Sequence, residues 1–232
     1  MILKADNISK TFFRNTGSAN YFYAVSSLSL EVPSGSVTVL TGRSGSGKTT
    51  LLNMLAGILE PTKGKVLLDD TDLYSLKDDE LSRFRNKRIG VVPQGRSAVD
   101  TLTVMENILL PAKLYEKTAP AEEARQRMDD FEIDHLADAM PRELSGGELR
   151  RMAIIRALVQ NPDVLFADEP TGDLDDENTE KVLSALSSFA HDQKKAVFIV
   201  THENDALKYA DRIFRMEKGQ IDLQENQSGE SV

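Results

Sequence analysis

The stretch Gly42-Arg-Ser-Gly-Ser-Gly47-Lys48-Thr49 decides how the rest of the chain is read. It has the form G-x-x-x-x-G-K-[ST] and lies between a short apolar run, Ser36 to Leu40, and an amphipathic pattern from Lys48 to Ile58. Glycines let the backbone wrap closely around an oxygen-rich group, so that amide N–H groups point inward and the next helix offers the positive end of its dipole. In that setting Lys48 reaches the β and γ phosphates of a nucleotide and the Thr49 hydroxyl holds Mg²⁺. The candidate phosphate ligands are Gly42, Arg43, Ser44, Gly45, Ser46, Gly47, Lys48, Thr49 and Thr50. A glycine-rich turn before an ordinary helix is the plainer reading, and Arg43 suits a solvated surface as well as it suits a ligand.

Working outward, apolar runs ending in turn residues recur at 36–40, 65–70, 88–93, 163–170 and 195–202, and they read as buried strands. Helical patterns separate them at Lys48–Ile58, Asp78–Asn86, Val104–Tyr115, Ala121–Phe131, Glu148–Gln160 and Asn178–His191. Strands alternating with helices predict an α/β fold with a mainly parallel sheet covered on both faces. From Gly95 to Asn161 no strand pattern interrupts the helical one, which predicts a helical subdomain inserted in the core. At the amino end, 2–13 and 21–32 alternate like exposed antiparallel strands, and 213–223 reads as a hairpin turning at Lys218-Gly219.

The totals narrow the function. A chain of 232 residues, 40% hydrophobic and 28% charged, is ordinary globular material for one large domain or two small ones. Its net charge of −9, with no run of lysine or arginine, argues against a nucleic-acid backbone as partner. There is no cysteine and the three histidines are scattered, which excludes disulfides and cysteine-ligated metals and fits a reducing cytoplasm. The first ten residues lack a secretion signal, and no apolar stretch is long enough to cross a membrane. The tail from Gln224 is polar enough to fray.

Two further motifs carry chemistry. Val164-Leu-Phe-Ala-Asp168-Glu169-Pro170 ends a buried strand in two carboxylates. The first suits a Mg²⁺ contact through water and the second a general base for an attacking water, although acidic residues at strand ends are also common loop chemistry. Ser145-Gly146-Gly147-Glu148 is S-x-x-E, a capping box, and a helix start explains it. Yet two glycines in a first turn cost roughly 1 kcal/mol each relative to alanine. Close approach of an anion to bare backbone accounts for them better.

In the order phosphate loop, Gln94, "LSGGE" (144–148), Asp168-Glu169, "TGDLD" (171–175) and His202, the chain resembles the ATP-binding subunit of ABC transporters over essentially its whole length. The resemblance implies a P-loop NTPase: one ABC ATPase domain over 1–232, with a nucleotide-binding core at 1–94 and 162–232, an amino-terminal antiparallel β-subdomain and a helical subdomain at 95–161. It implies ATP and Mg²⁺ as cofactors and a head-to-tail homodimer, in which each ATP lies between the phosphate loop of one copy and the Ser-Gly-Gly helix start of the other. Carried over residue by residue, Glu169, His202 and Gln94 are catalytic, and Thr49, Gln94 and Asp168 hold Mg²⁺. Ser145, Gly146, Gly147, Glu148 and Asp175 face the partner's ATP. Phe12 stands where the family stacks an aromatic on adenine, with Phe13 and Tyr23 as rivals.

Two departures from the family pattern stand out. Glu148 replaces the commoner glutamine, putting a carboxylate near the nucleotide, and Pro93 replaces the aromatic before Gln94, stiffening that hinge. The chain most resembles the group that includes lipoprotein-release, macrolide-export, antimicrobial-peptide-export and cell-division ATPases. With its last hairpin close to the end of the sequence, it is expected to lack the extra carboxy-terminal domain of many sugar-importer ATPases. The implied partner is an integral membrane permease, with the chain peripheral on the cytoplasmic face and not itself inserted. The permease would dock around Ser97 to Leu109, where Leu102, Val104, Met105 and Ile108 are read equally as local core and Thr103-x-x-Glu106 as a capping box. Two other functions remain open: an ABC ATPase that regulates cell-wall or division machinery through a membrane partner without transport, and a small-molecule kinase, which would have no use for Ser145-Gly-Gly.

Overall fold

The computed structural model describes residues 2–13, 21–115, 120–172 and 174–224. The polar tail from 225 lies outside them. Two long strands open the chain, β1 (Ile2–Phe13) and β2 (Tyr21–Pro33), paired antiparallel with Leu3 opposite Val32 and Phe12 opposite Phe22. Their alternation is the period of a sheet with one wet face: Leu3, Ala5, Leu30 and Val32 are buried, while Lys4, Asp6, Ser29 and Glu31 are exposed. Next come β3 (Ser36–Gly42), α1 (Lys48–Leu55), β4 (Lys63–Leu68), β5 (Thr71–Asp72), α2 (Asp78–Arg88) and β6 (Ile89–Val92). Helices α3 (Val104–Tyr115), α4 (Ala121–Asp130) and α5 (Gly146–Leu158) precede β7 (Val164–Asp168). The chain closes with α6 (Asp176–Asp192), β8 (Ala196–Val200), β9 (Arg212–Glu217) and β10 (Gln220–Gln224).

Two sheets result, a four-stranded one ordered β2-β1-β4-β5 and a six-stranded one ordered β10-β9-β3-β8-β7-β6. The second is parallel except for the β9–β10 hairpin, which turns at Lys218-Gly219 as its sequence predicts. The run at 65–70 forms a strand over 63–68, but it belongs to the other sheet, pairing antiparallel with β1. Lys63, Gly64 and Lys65 at its start are exposed, which suits a peripheral sheet better than the buried core.

The parallel strands are apolar throughout because both faces are covered. On one face Leu40, Phe166, Phe198 and Val200 pack with α1 and the antiparallel sheet. On the other, Val39, Leu165, Val197 and Ile199 pack with α3, α4, α5 and α6. The carboxyl ends of β3, β8 and β7 lie side by side, with Leu40 and Asp168 both in register with Val200. The loops leaving those ends, at 42–47, 168–169 and 201–202, therefore converge on one rim, where open α/β sheets bind ligands.

In the helical stretch, the α3 capping box forms as its spacing predicts: Thr103 N–H donates to Glu106 Oε2 at 3.0 Å and Glu106 N–H to Thr103 Oγ1 at 3.2 Å. Val104 and Ile108 are core residues, Met105 packs against that core, and Leu102 is half-buried. Pro111 sits inside α3, and its carbonyl accepts from Asn86 Nδ2 at 2.8 Å, joining this helix to α2.

Candidate functional site

The phosphate loop is shaped by what its glycines avoid. Gly47 has φ +109°, and a Cβ there would lie 2.2 Å from the Ala24 carbonyl oxygen, so only glycine closes the loop against β2. α1 then starts with no side-chain cap on its first-turn N–H groups. Lys48 is buried, and its Nζ donates to the carbonyls of Gly42 at 2.8 Å and Arg43 at 3.3 Å. Above the loop opens a cavity of about 630 Å³, lined by residues 42–50 and by Phe12, Gln94, Asp168, Glu169 and His202.

Asp168, the last residue of β7, and Glu169 after it line that cavity with different surroundings. Thr49 Oγ1 donates to Asp168 Oδ2 at 2.8 Å. Burial pushes the Asp168 carboxyl above the usual carboxylate range and the Glu169 charge adds to this, against the Thr49 hydrogen bond and the cations Lys48 and Arg150. A buried carboxylate with this balance gains from a nearby cation. Among the described residues no cluster of three or more His, Cys, Asp or Glu side chains could hold a metal unaided. One carboxylate and one hydroxyl suit Mg²⁺, which takes most of its ligands from phosphate oxygens and water. Gln94, exposed on the cavity wall, supplies a third polar group.

Glu169 sits at φ +51°, a left-handed conformation unusual for this residue type. Its N–H donates to the Val200 carbonyl at 2.8 Å, and its carboxylate is held by the loop after β8. Oε2 accepts from Thr201 Oγ1 at 2.9 Å and His202 N–H at 3.3 Å, and Oε1 lies 2.9 Å from His202 Nδ1. The hydrogen bond and charge of Glu169 raise the His202 imidazole above its ordinary value. Thr201 is fully buried and has no motif to announce it; its neighbour His202 was the only signal.

Phe12 lines the cavity, and of its rivals Tyr23 does too, while Phe13 is 84% exposed and does not. Phe22, which sequence reading passed over, lines it as well and stacks on Phe12 with ring centroids 5.7 Å apart. The hairpin register that places Phe12 opposite Phe22 is not readable from alternation alone.

The Ser145 helix start stands apart. None of Ser145, Gly146, Gly147, Glu148 or Asp175 lines the cavity. α5 begins at Gly146 with Ser145 and Gly146 exposed, and Glu148 closes the capping box: its Oε2 accepts from Ser145 N–H at 2.7 Å and Ser145 Oγ at 2.8 Å. Those bonds hold the Glu148 carboxyl below the usual range and turn the extra carboxylate inward, onto its own helix start. Asp175 caps α6, accepting from Asn178 N–H at 2.8 Å, and Asn178 in turn contacts Arg151 of α5. The candidate residues thus fall into two groups on one chain, an open cavity and an exposed helix start that does not reach it.

Comparisons with known proteins identify the family and the fold. Residues 25–172 match the ABC transporter family model. The ABC transporter ATP-binding protein YvcR of Bacillus subtilis is 38% identical over 222 residues, covering 95% of this chain and 85% of that protein. The lipoprotein-releasing system ATP-binding protein LolD of Syntrophotalea carbinolica is 36% identical over 222 residues, covering 95% and 96%. The structure of the ATP-binding cassette MJ0796 of Methanocaldococcus jannaschii, dimeric and bound to ADP and Pi in a post-hydrolysis state, superposes with a TM-score of 0.90 at 31% identity, over 97% of this chain and 99% of that one. The chain belongs to the ABC transporter family and has the fold of its ATPase cassette.

Proposed function

We propose that this chain is the ATP-binding and ATP-hydrolysing subunit of an ABC transporter, and that two copies enclose two ATP molecules between them. One observation carries the reading: a cavity holding the phosphate loop, Asp168, Glu169 and His202 is open on one side, while the helix start at Ser145-Gly146-Gly147, its first two residues exposed, lies outside it. A second copy, head to tail, would bring its helix start to the open side, with Asp175 and Glu148 along the seam. ATP then joins the two subunits, and hydrolysis parts them.

Each residue has a task in that scheme. The amides of residues 42–50 and the Lys48 ammonium bind the phosphate chain, and Phe12 packs on the base. Thr49, Asp168 and Gln94 would hold Mg²⁺, which supplies charge neutralisation on the β and γ phosphates. Glu169 accepts a proton from the attacking water as its oxygen bonds to the γ phosphorus, and the bond to the bridging oxygen breaks to leave ADP. His202 and Thr201 fix that carboxylate, so little reorganisation is left for the reaction itself.

Residues 95–161 act as a helical insertion that meets a membrane permease on the cytoplasmic face, with its surface near 97–109. Support for lipoprotein or peptide handling comes from the likeness to LolD. Among the described residues no helix is long and apolar enough to cross a membrane, so the bilayer contact is assigned to the permease. The test is phosphate release from MgATP without any acceptor metabolite, together with gel filtration of Glu169→Gln. Turnover by the native chain and an ATP-dependent dimer of the variant are expected; phosphate transfer to an acceptor, or a variant monomeric at saturating ATP, would overturn the reading.

A further inference from the structure

Helix α5 carries three arginines in its exposed-looking sequence "GGELRRMAIIRAL", and they do not behave as a solvated face. Arg150 is 7% exposed, and its Nη1 donates to the Pro93 carbonyl at 2.9 Å. Arg156 donates to the Ser97 carbonyl at 2.8 Å and to Ser97 Oγ at 2.5 Å. These two contacts bracket Gln94, one on the residue before it and one three residues after. Between them Gly95 has φ +76°, and apart from its chain neighbours nothing lies within 4 Å of where a Cβ would stand, so the backbone beside the glutamine takes a turn that favours glycine. A cavity of about 100 Å³ separates Gly95–Ala98 from Gly146, Leu149 and Met152. The loop is tied to α5 by directional bonds at its two ends, and Ala98 packs against the core that α5 helps to form. Beyond the loop, fully buried Asn107 fixes Val99 through both its N–H, at 2.7 Å, and its carbonyl, at 3.0 Å.

A guanidinium holds several donors in a rigid fork, and burying one is costly unless its bonds are made. A helix moves as a rigid body, so a shift at its first turn reaches a side chain one turn later undiminished. We propose that Arg150 is a positioning residue that links the partner-facing start of α5 to the Gln94 loop of the same subunit, so that closing on the partner's ATP sets this subunit's own Gln94. This rests on the shared-site reading above. The carbonyl that anchors Arg150 belongs to Pro93, whose ring fixes φ at that residue.

The test uses the full chain in the Glu169→Gln background, with amide hydrogen exchange measured before and after adding MgATP. In the parent, protection is expected at both 145–149 and 94–98 on dimer formation. Arg150→Gln should still dimerise and protect 145–149, but lose about tenfold of the added protection at 94–98, the scale of one charged hydrogen bond. With Glu169 intact, Arg150→Gln should lower kcat about tenfold and leave KM for ATP within twofold, and Arg150→Lys should restore part of both. Unchanged 94–98 protection and unchanged kcat in Arg150→Gln would overturn the link. If Arg150→Gln fails to fold, Arg150→Lys carries the test, and native values of both readouts in a variant lacking the fork overturn it equally. A parent that never dimerises, with Arg150 in place, instead removes the shared-site reading on which the link depends.

Discussion

Thr201→Val is the perturbation that separates holding the catalytic carboxylate from binding the nucleotide. The hydroxyl is fully buried and does two jobs: it donates to Glu169 Oε2 at 2.9 Å and accepts the Glu203 N–H at 3.0 Å. Valine matches its shape and makes neither bond. A hydrogen bond to a charged group contributes about 1.5–3 kcal/mol and a neutral one about 1 kcal/mol, so a stability loss of about 2.5–4 kcal/mol is expected from urea unfolding. Glu169 keeps its two contacts with His202, so its aim loosens without being lost. We predict a kcat reduced about tenfold, corresponding to ~1.4 kcal/mol of transition-state stabilisation, with ATP affinity within twofold of native because no phosphate-loop atom is touched. A native kcat, or an affinity loss as large as the kcat loss, would refute the assignment of Thr201 as the brace of Glu169.

Asp168→Asn keeps an acceptor for Thr49 and removes a charge whose burial raises its carboxyl above the unfolded value. A carboxylate raised on folding costs stability at neutral pH, a cost absent below its unfolded pKa and growing as pH rises through the folded one. The nucleotide-free variant should therefore melt about 2–4 °C higher at pH 7 per kcal/mol relieved, lose that advantage in acid, and lose Mg²⁺-dependent turnover; a lower melting point at pH 7 would contradict this. His202 is raised by Glu169, so its contribution to stability is complete below the unfolded imidazole pKa and lost as pH rises through the higher folded value. Comparing native protein with His202→Gln by denaturation across pH 6 to 9 should show the difference shrinking as pH rises, and a constant difference would count against the pair. Gly47→Ala meets the Ala24 carbonyl and a forbidden φ, and calorimetry should find ATP binding lost; retained binding would mean the loop can close another way.

Much of the fold was legible because its physics is local. Strands covered on both faces must be apolar throughout, and "VLFA" and "AVFIV" announce β7 and β8. The capping boxes at Thr103 and Ser145 mark helix starts by spacing alone. What spacing cannot report is which strand lies beside which. The run at 65–70 is a strand in either sheet, and only the structure seats it on β1. The same limit hid Phe22, whose place depends on hairpin register, and Thr201, whose hydroxyl matters only because β7 and β8 are neighbours. Arg150 was hidden for a different reason. On a helix, consecutive arginines read as surface charge, and a bond from one of them to a carbonyl 57 residues away leaves no periodic trace.

The decisive measurement is cross-linking between copies, and the absence of native cysteine makes it clean. Ser44→Cys is placed on one tagged chain and Arg142→Cys, at an exposed position just before the Ser145 helix start, on another, both carrying Glu169→Gln, and a short bis-maleimide is added with and without MgATP. An ATP-dependent link between the two different chains is predicted, with no link inside a single chain that carries both cysteines while it is dilute and monomeric. A link within one chain, or none between chains that have bound ATP, would contradict the shared site.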